Sequence, residues 1–202
     1  MYKVITSVLL IALFASCRTI GVLRQEALQP IDYVRWIENK DNGLKIDMED
    51  SPYLYELQYQ PVAYLAIRQT NNPQITPAAL KQAIDNRGDY LYFSLKMQKQ
   101  GERGILSDMD INSVNKNSYL LSGIQNDMFV LSGGDSLQCV MSHFESANSL
   151  IPYDRCVLAF EKPKDEKDDL VFLFRTDVYR RAWLRIPIKR ENINKIPQLK
   201  IK

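Results

Sequence analysis

The chain has 202 residues, and 46% of them are apolar, which is enough to bury a core and too much for a chain that stays unfolded. Its formal net charge of +2 excludes a general nucleic-acid binder, so no nucleic-acid partner is expected. The single histidine and three cysteines have neither finger-like nor His-Glu-x-x-His spacing, so no metal or other cofactor is expected.

The first seventeen residues carry an address. Lys3 is a short positive start, and Val4 to Phe14 is almost wholly apolar. That run is too short to cross a bilayer, which takes about 20 residues, and fits the apolar core of an export signal. Leu13-Phe14-Ala15-Ser16-Cys17 resembles the lipobox of bacterial lipoproteins, although Phe14 stands where that pattern prefers leucine. The resemblance implies cleavage before Cys17 and acyl chains on its sulfur and new amino group. The expected organisation is a signal peptide at 1–16, a lipidated tether at 17–29 and one β-rich domain at 30–202. The membrane is then a partner through Cys17. Arg18 replaces the acidic run that would mark surface display, so the expected address is the periplasmic face of the outer membrane. The remaining thiols, Cys139 and Cys156, lie in an oxidising compartment, either paired or as free core residues.

In chain order, Pro30 opens a helix with Ile31, Val34 and Ile37 at helical spacing, ending at Asp41-Asn42-Gly43. Tyr53, Tyr55, Leu57 and Tyr59 then alternate with Leu54, Glu56, Gln58 and Gln60, a strand pattern closed by Pro61. A short helix to Arg68 follows, and another is capped by Thr76, started by Pro77 and stopped by Gly88. Leu91, Phe93, Leu95 and Met97 alternate along a strand over 89–98. Residues 100–117 read as a polar loop with one helical turn around Ile111 and Val114. Further strands are expected over 119–124, 128–131, 137–144, 156–160, 170–174 and 182–188, with a hairpin turn at Gly133-Gly134-Asp135. The charged stretch 161–169 is a solvated connection. The fold class is therefore α+β: a mainly antiparallel sheet or sandwich with two or three short helices toward the N-terminal side.

Trp36 with Asn42-Gly43-Leu44, Leu57-Gln58-Tyr59-Gln60-Pro61 with Tyr64, His143-Phe144-Glu145 and the closing Ile196-Pro197-Gln198-Leu199-Lys200 together resemble a family of small uncharacterised bacterial lipoproteins. That resemblance implies export and a similar fold, and no activity.

No pattern commits the chain to a reaction. His143 shares its alternation with Leu137, Cys139 and Met141 and is expected to pack among them. Asp108-Met109-Asp110 begins like a calcium loop, but Ser113 and Tyr119 stand where its glycine and bidentate glutamate belong. Ser132-Gly133-Gly134-Asp135 lacks the lysine of a phosphate loop. Glu145 and Glu161 are candidates for the carboxylate pair of a glycan hydrolase. The clearest asymmetry is the C-terminal end, where nine Lys or Arg from Arg175 onward face two acidic residues. Alternation puts Arg181, Trp183, Arg185 and Lys189 on one face, suited to an anionic envelope polymer or an acidic envelope protein. The competing reading is an edge strand guarded by charge and by Pro187. The expected function is that of a tethered, non-enzymatic envelope binding module. An envelope-glycan hydrolase and a carrier of an apolar ligand are the alternatives.

Overall fold

The computed structural model describes residues 26–69, 75–105, 113–176 and 180–201. Among them, eight strands join in one antiparallel sheet: β1 (Lys45–Asp50), β2 (Tyr53–Tyr59), β3 (Tyr90–Lys99), β4 (Met128–Ser132), β5 (Asp135–Glu145), β6 (Asp154–Glu161), β7 (Leu170–Thr176) and β8 (Arg180–Ile188). Their order is β1-β2-β3-β6-β5-β4-β7-β8. Strand β4 turns into β5 and β5 into β6, and β7 comes back beside β4, which makes a Greek key. Among the described residues, five short α-helices accompany the sheet: α1 (Pro30–Glu38), α2 (Val62–Gln69), α3 (Pro77–Arg87), α4 (Ser113–Ser118) and α5 (Arg190–Asn194).

The sheet is rolled rather than flat. Phe93 on β3 and Phe172 on β7 are four strands apart in the order, about 19 Å in a flat sheet at ~4.8 Å per strand. Their ring centroids are 6.3 Å apart, and both rings also meet Phe160 on β6, at 5.7 and 6.2 Å. This trio fills the middle of a nearly closed barrel, and the alternating residues of the strands pack around it. Leu91, Leu95 and Met97 point inward from β3, Val130 from β4, Leu158 from β6, and Leu184, Ile186 and Ile188 from β8. The interior is a packed core.

A second core lies under the helices. Tyr33 and Ile37 of α1 and Tyr64, Ala66 and Ile67 of α2 pack with Leu44, Ile75 and Ala83. The C-terminal Ile196, Leu199 and Ile201 close over this core. Leu28 bridges to Leu199, donating from its backbone N–H to the Gln198 carbonyl at 2.8 Å. Helix α5 links the two cores: Ile193 packs against both, and the Asn192 side chain lies so close to Gly43 that a Cβ there would collide with it, while the φ of 70° independently favours glycine.

Three sequence expectations fail for identifiable reasons. The apolar run 119–124 is a π-helical turn, Tyr119–Gly123, running into a 3-10 turn, Ile124–Asp127. Leu120 and Ile124, four apart, are buried while Leu121 is 79% exposed, which is helical spacing; a short apolar run does not separate the two periods. Strand β1 was not expected, because only Ile46 and Met48 alternate with its charges. His143 is exposed instead of packed. Cys139 pairs with Phe160 and Met141 with Ala159, so Val140 is an extra residue in β5. This bulge switches the inward parity: Leu137 and Cys139 face the core before it and Phe144 after it, which turns His143 outward.

Candidate functional site

The residues singled out by sequence are dispersed. Cys17 and Asp108 lie outside the described residues. Cys139 and Cys156 are free buried thiols on neighbouring strands, but not opposite each other. Cys139 faces Phe160, four positions along β6 from Cys156, on the order of 13 Å at ~3.3 Å per residue. A disulfide spans Cα atoms no more than about 7 Å apart, so the register separates these two. Burial pushes the Cys139 thiol up to about 11 and Cys156 higher still, so both stay protonated and unreactive. Unfolded, unreduced protein carrying Cys17→Ser should therefore titrate two thiols, and the same protein in its native state almost none; one or no thiol in the unfolded sample would overturn this assignment.

Glu145 and Glu161 are also separated. Glu145 sits opposite Arg155 and Glu161 opposite Tyr90, at the two ends of β6, on the order of 20 Å apart. Hydrolase carboxylates lie about 5–9.5 Å apart across the scissile bond. On β8, the side chain of Arg181 lies outside the description. Lys189 pairs with Asp169 at 2.8 Å, at the start of α5. Trp183 is 43% exposed, with the Arg175 guanidinium 5.7 Å from its ring centre and Phe129 at its edge. β8 ends the strand order and exposes Pro187, which is the geometry of a guarded edge strand.

The site that the fold assembles lies on the other side, on the outer face of β2, β3 and β6. A cleft of about 480 Å³ opens there, with strand side chains as its floor and α1 and α2 as one wall. Alternation that sends Tyr55 and Leu57 into the barrel sends Glu56 and Gln58 to this outer face. Register then aligns Glu56 with Lys96, Gln58 with Ser94, and Lys96 with Arg155 across three strands. Glu38 and Tyr64 descend from the helices, where the Tyr64 hydroxyl donates to Glu38 Oε1 at 2.9 Å. Burial and this glutamate push the phenol up to about 12, so it remains a neutral donor.

The walls are cationic. Lys45, Arg68, Lys96 and Arg155 line the cleft against one carboxylate, Glu38. Glu56, just below, is gripped by Lys96 at 2.7 Å and Lys45 at 3.4 Å, with Lys40 at 3.8 Å. Arg155 donates from Nε to Ser94 Oγ at 3.0 Å and reaches Glu145 at 3.4 Å. Arg68 is solvent-exposed, and among the described residues no carboxylate lies within ion-pair distance of it. At the rim, Lys96 Nζ stands 4.6 Å from the Tyr153 ring centre. A second groove of about 560 Å³, walled by Met48, Leu54 and Met97, meets the cleft at Lys96 and Tyr153.

Two glutamines distinguish this cleft from an ordinary charged surface. Gln58 is 7% and Gln60 3% exposed, and both line it. Gln58 Nε2 sits beside the Tyr64 hydroxyl, and among the described residues Gln60 Oε1 has no hydrogen-bond partner. A buried amide atom left unpaired costs about 1–3 kcal/mol, so the Gln60 oxygen is a group for which a ligand hydroxyl would be a favourable partner. The lining has no histidine or cysteine, and its one serine, Ser94, accepts from Arg155. The lining thus combines cations with buried amides, and its one hydroxyl in contact with a carboxylate is the Tyr64 phenol on Glu38, which burial keeps protonated.

No protein-family model matches the chain, and no curated protein or solved structure is significantly similar to it.

Proposed function

We propose that this protein is a lipid-tethered, non-enzymatic binding module of the bacterial cell envelope, held by acyl chains on Cys17 at the periplasmic face of the outer membrane. The cleft of Gln58, Gln60, Arg68, Lys96 and Arg155 is the observation that carries the binding role. It offers amide groups and cations to an anionic envelope component. The barrel interior is filled by Phe93, Phe160 and Phe172, which speaks against a carrier of apolar ligands, and Glu145 and Glu161 are too far apart for paired hydrolysis. The export reading rests on the Leu13–Cys17 pattern.

Mass spectrometry of membrane-extracted protein should find a diacylglyceryl-bearing Cys17 at the N-terminus and no residues 1–16. Cys17→Ser should stay unprocessed. A soluble, unlipidated mature protein would overturn the tether. For the binding role, immobilised wild-type protein should retain anionic envelope polymer in low salt and release it as salt rises. Arg68→Ser should weaken that retention while leaving the melting temperature nearly unchanged, as exposed substitutions usually do. Retention indifferent to both salt and Arg68 would sink the cleft as the site.

A further inference from the structure

Building on the binding-module reading above, we propose that the cleft between α2 and the outer face of β2, β3 and β6 is a binding site for an acidic saccharide. Its ring hydroxyls would meet Gln58 and Gln60, and its carboxylate would meet Arg68.

The ligand class follows from the buried amide groups. Gln60 Oε1 is an acceptor without a partner among the described residues, Gln58 Nε2 is a donor beside the Tyr64 hydroxyl, and both residues are more than nine-tenths buried. A hydroxyl donates and accepts through one atom, so a polyol satisfies both kinds of group from one surface. An apolar ligand would leave the Gln60 oxygen unpaired. Charge sets the second requirement. The lysines of the cleft are already committed to Glu56, and Arg155 to Ser94 and Glu145. Arg68 is the guanidinium left to meet a planar carboxylate, which it can grip through two parallel N–H groups. Tyr153, half-buried at the rim, supplies the third element, since an aromatic face packs against the C–H face of a sugar while its hydroxyl stays polar. A cleft of about 480 Å³ is within the roughly 300–1,000 Å³ of small-ligand sites, and its open mouth lets a longer chain run outward.

The test is calorimetric titration of the full-length lipidated protein in detergent with three probes: a glucuronic acid disaccharide, its carboxyl-reduced neutral counterpart, and diglutamate. The acidic disaccharide should bind saturably, at least about tenfold more tightly than either of the others. Arg68→Gln should erase the preference over the neutral sugar. Gln60→Met should lower affinity about tenfold while leaving the melting temperature unchanged or raised, because it removes a buried unpaired atom without a cavity. A merely structural glutamine would instead lower it. Equal binding of acidic and neutral sugars overturns the proposal, as does acidic binding that is insensitive to Gln60→Met. Diglutamate bound in preference, with loss in Arg68→Gln, rejects the saccharide while the binding-module reading stands. If no probe binds at millimolar concentration and envelope polymer is also not retained, both readings fail.

Discussion

Asp154→Ala should lower folding stability by about 3–5 kcal/mol, the largest effect expected from any single polar residue here. Asp154 opens β6 and is fully buried. Its carboxylate accepts the backbone N–H of Ile105 at 2.6 Å and of Ala147 at 2.7 Å, so one side chain ties down two loops. Gly104, at a φ of 64°, lets the first loop press against that carboxylate, where any Cβ would collide, and its own N–H donates to the Pro152 carbonyl. Removing the carboxylate strands two backbone donors in or near the core. Asp154→Asn should fall between, at about 2–3 kcal/mol, because one oxygen still accepts while the new amide faces a donor. Urea unfolding of both variants measures the ordering; an Asp154→Ala loss below about 1 kcal/mol would mean that the loops hold themselves. The consequence reaches the cleft, since Tyr153 and Arg155 flank this residue and form its rim. Binding should weaken in Asp154→Ala even at temperatures where the protein is still folded.

Phe172→Ala should cost about 3–5 kcal/mol, the usual range for emptying an aromatic site in a core. Phe172 is fully buried, and its ring touches Phe93 and Phe160 across the rolled sheet. It therefore joins the β2-β3-β6 side of the barrel to the β4-β7-β8 side, which hydrogen bonds connect only by way of β5. Phe172→Leu, which keeps most of the volume, should cost much less. Thermal melts of the pair decide between a closing contact and a peripheral one. A cost under about 1.5 kcal/mol for the alanine variant would place Phe172 at a site that collapses freely, and the barrel would be held shut by other contacts. A stability loss without loss of binding is expected, because the cleft lies on the outer face and touches none of these three rings.

Local sequence was enough wherever one face of one element decided the structure. Leu91, Phe93, Leu95 and Met97 alternate without interruption, and β3 buries all four. Thr76-Pro77 and Gly88 bracket α3 as cap and stop chemistry require, with Thr76 accepting from the Ala79 N–H at 3.2 Å. The same rule failed at β5, where one inserted residue, Val140, reversed the parity of His143 and Phe144. No glycine or proline marks that bulge, so neighbouring residues do not announce it.

The cleft was legible only as fragments. Gln58 and Gln60 appeared as the polar half of an alternation, while Lys96 and Arg155, 59 residues apart in sequence, carried no signal of their own. The chemistry of the site arises when β3 pairs with β6, 55 residues beyond the end of β3, and when α2 folds back over β2. Short-range patterns determined which residues are buried and where most strands run, because a strand's two faces differ within a few residues of each other. Strand order, the rolling of the sheet and the meeting of buried amides with cations depended on contacts far apart in the chain. Their energies are set by register and by closure of the whole barrel, and only the tertiary structure contains those.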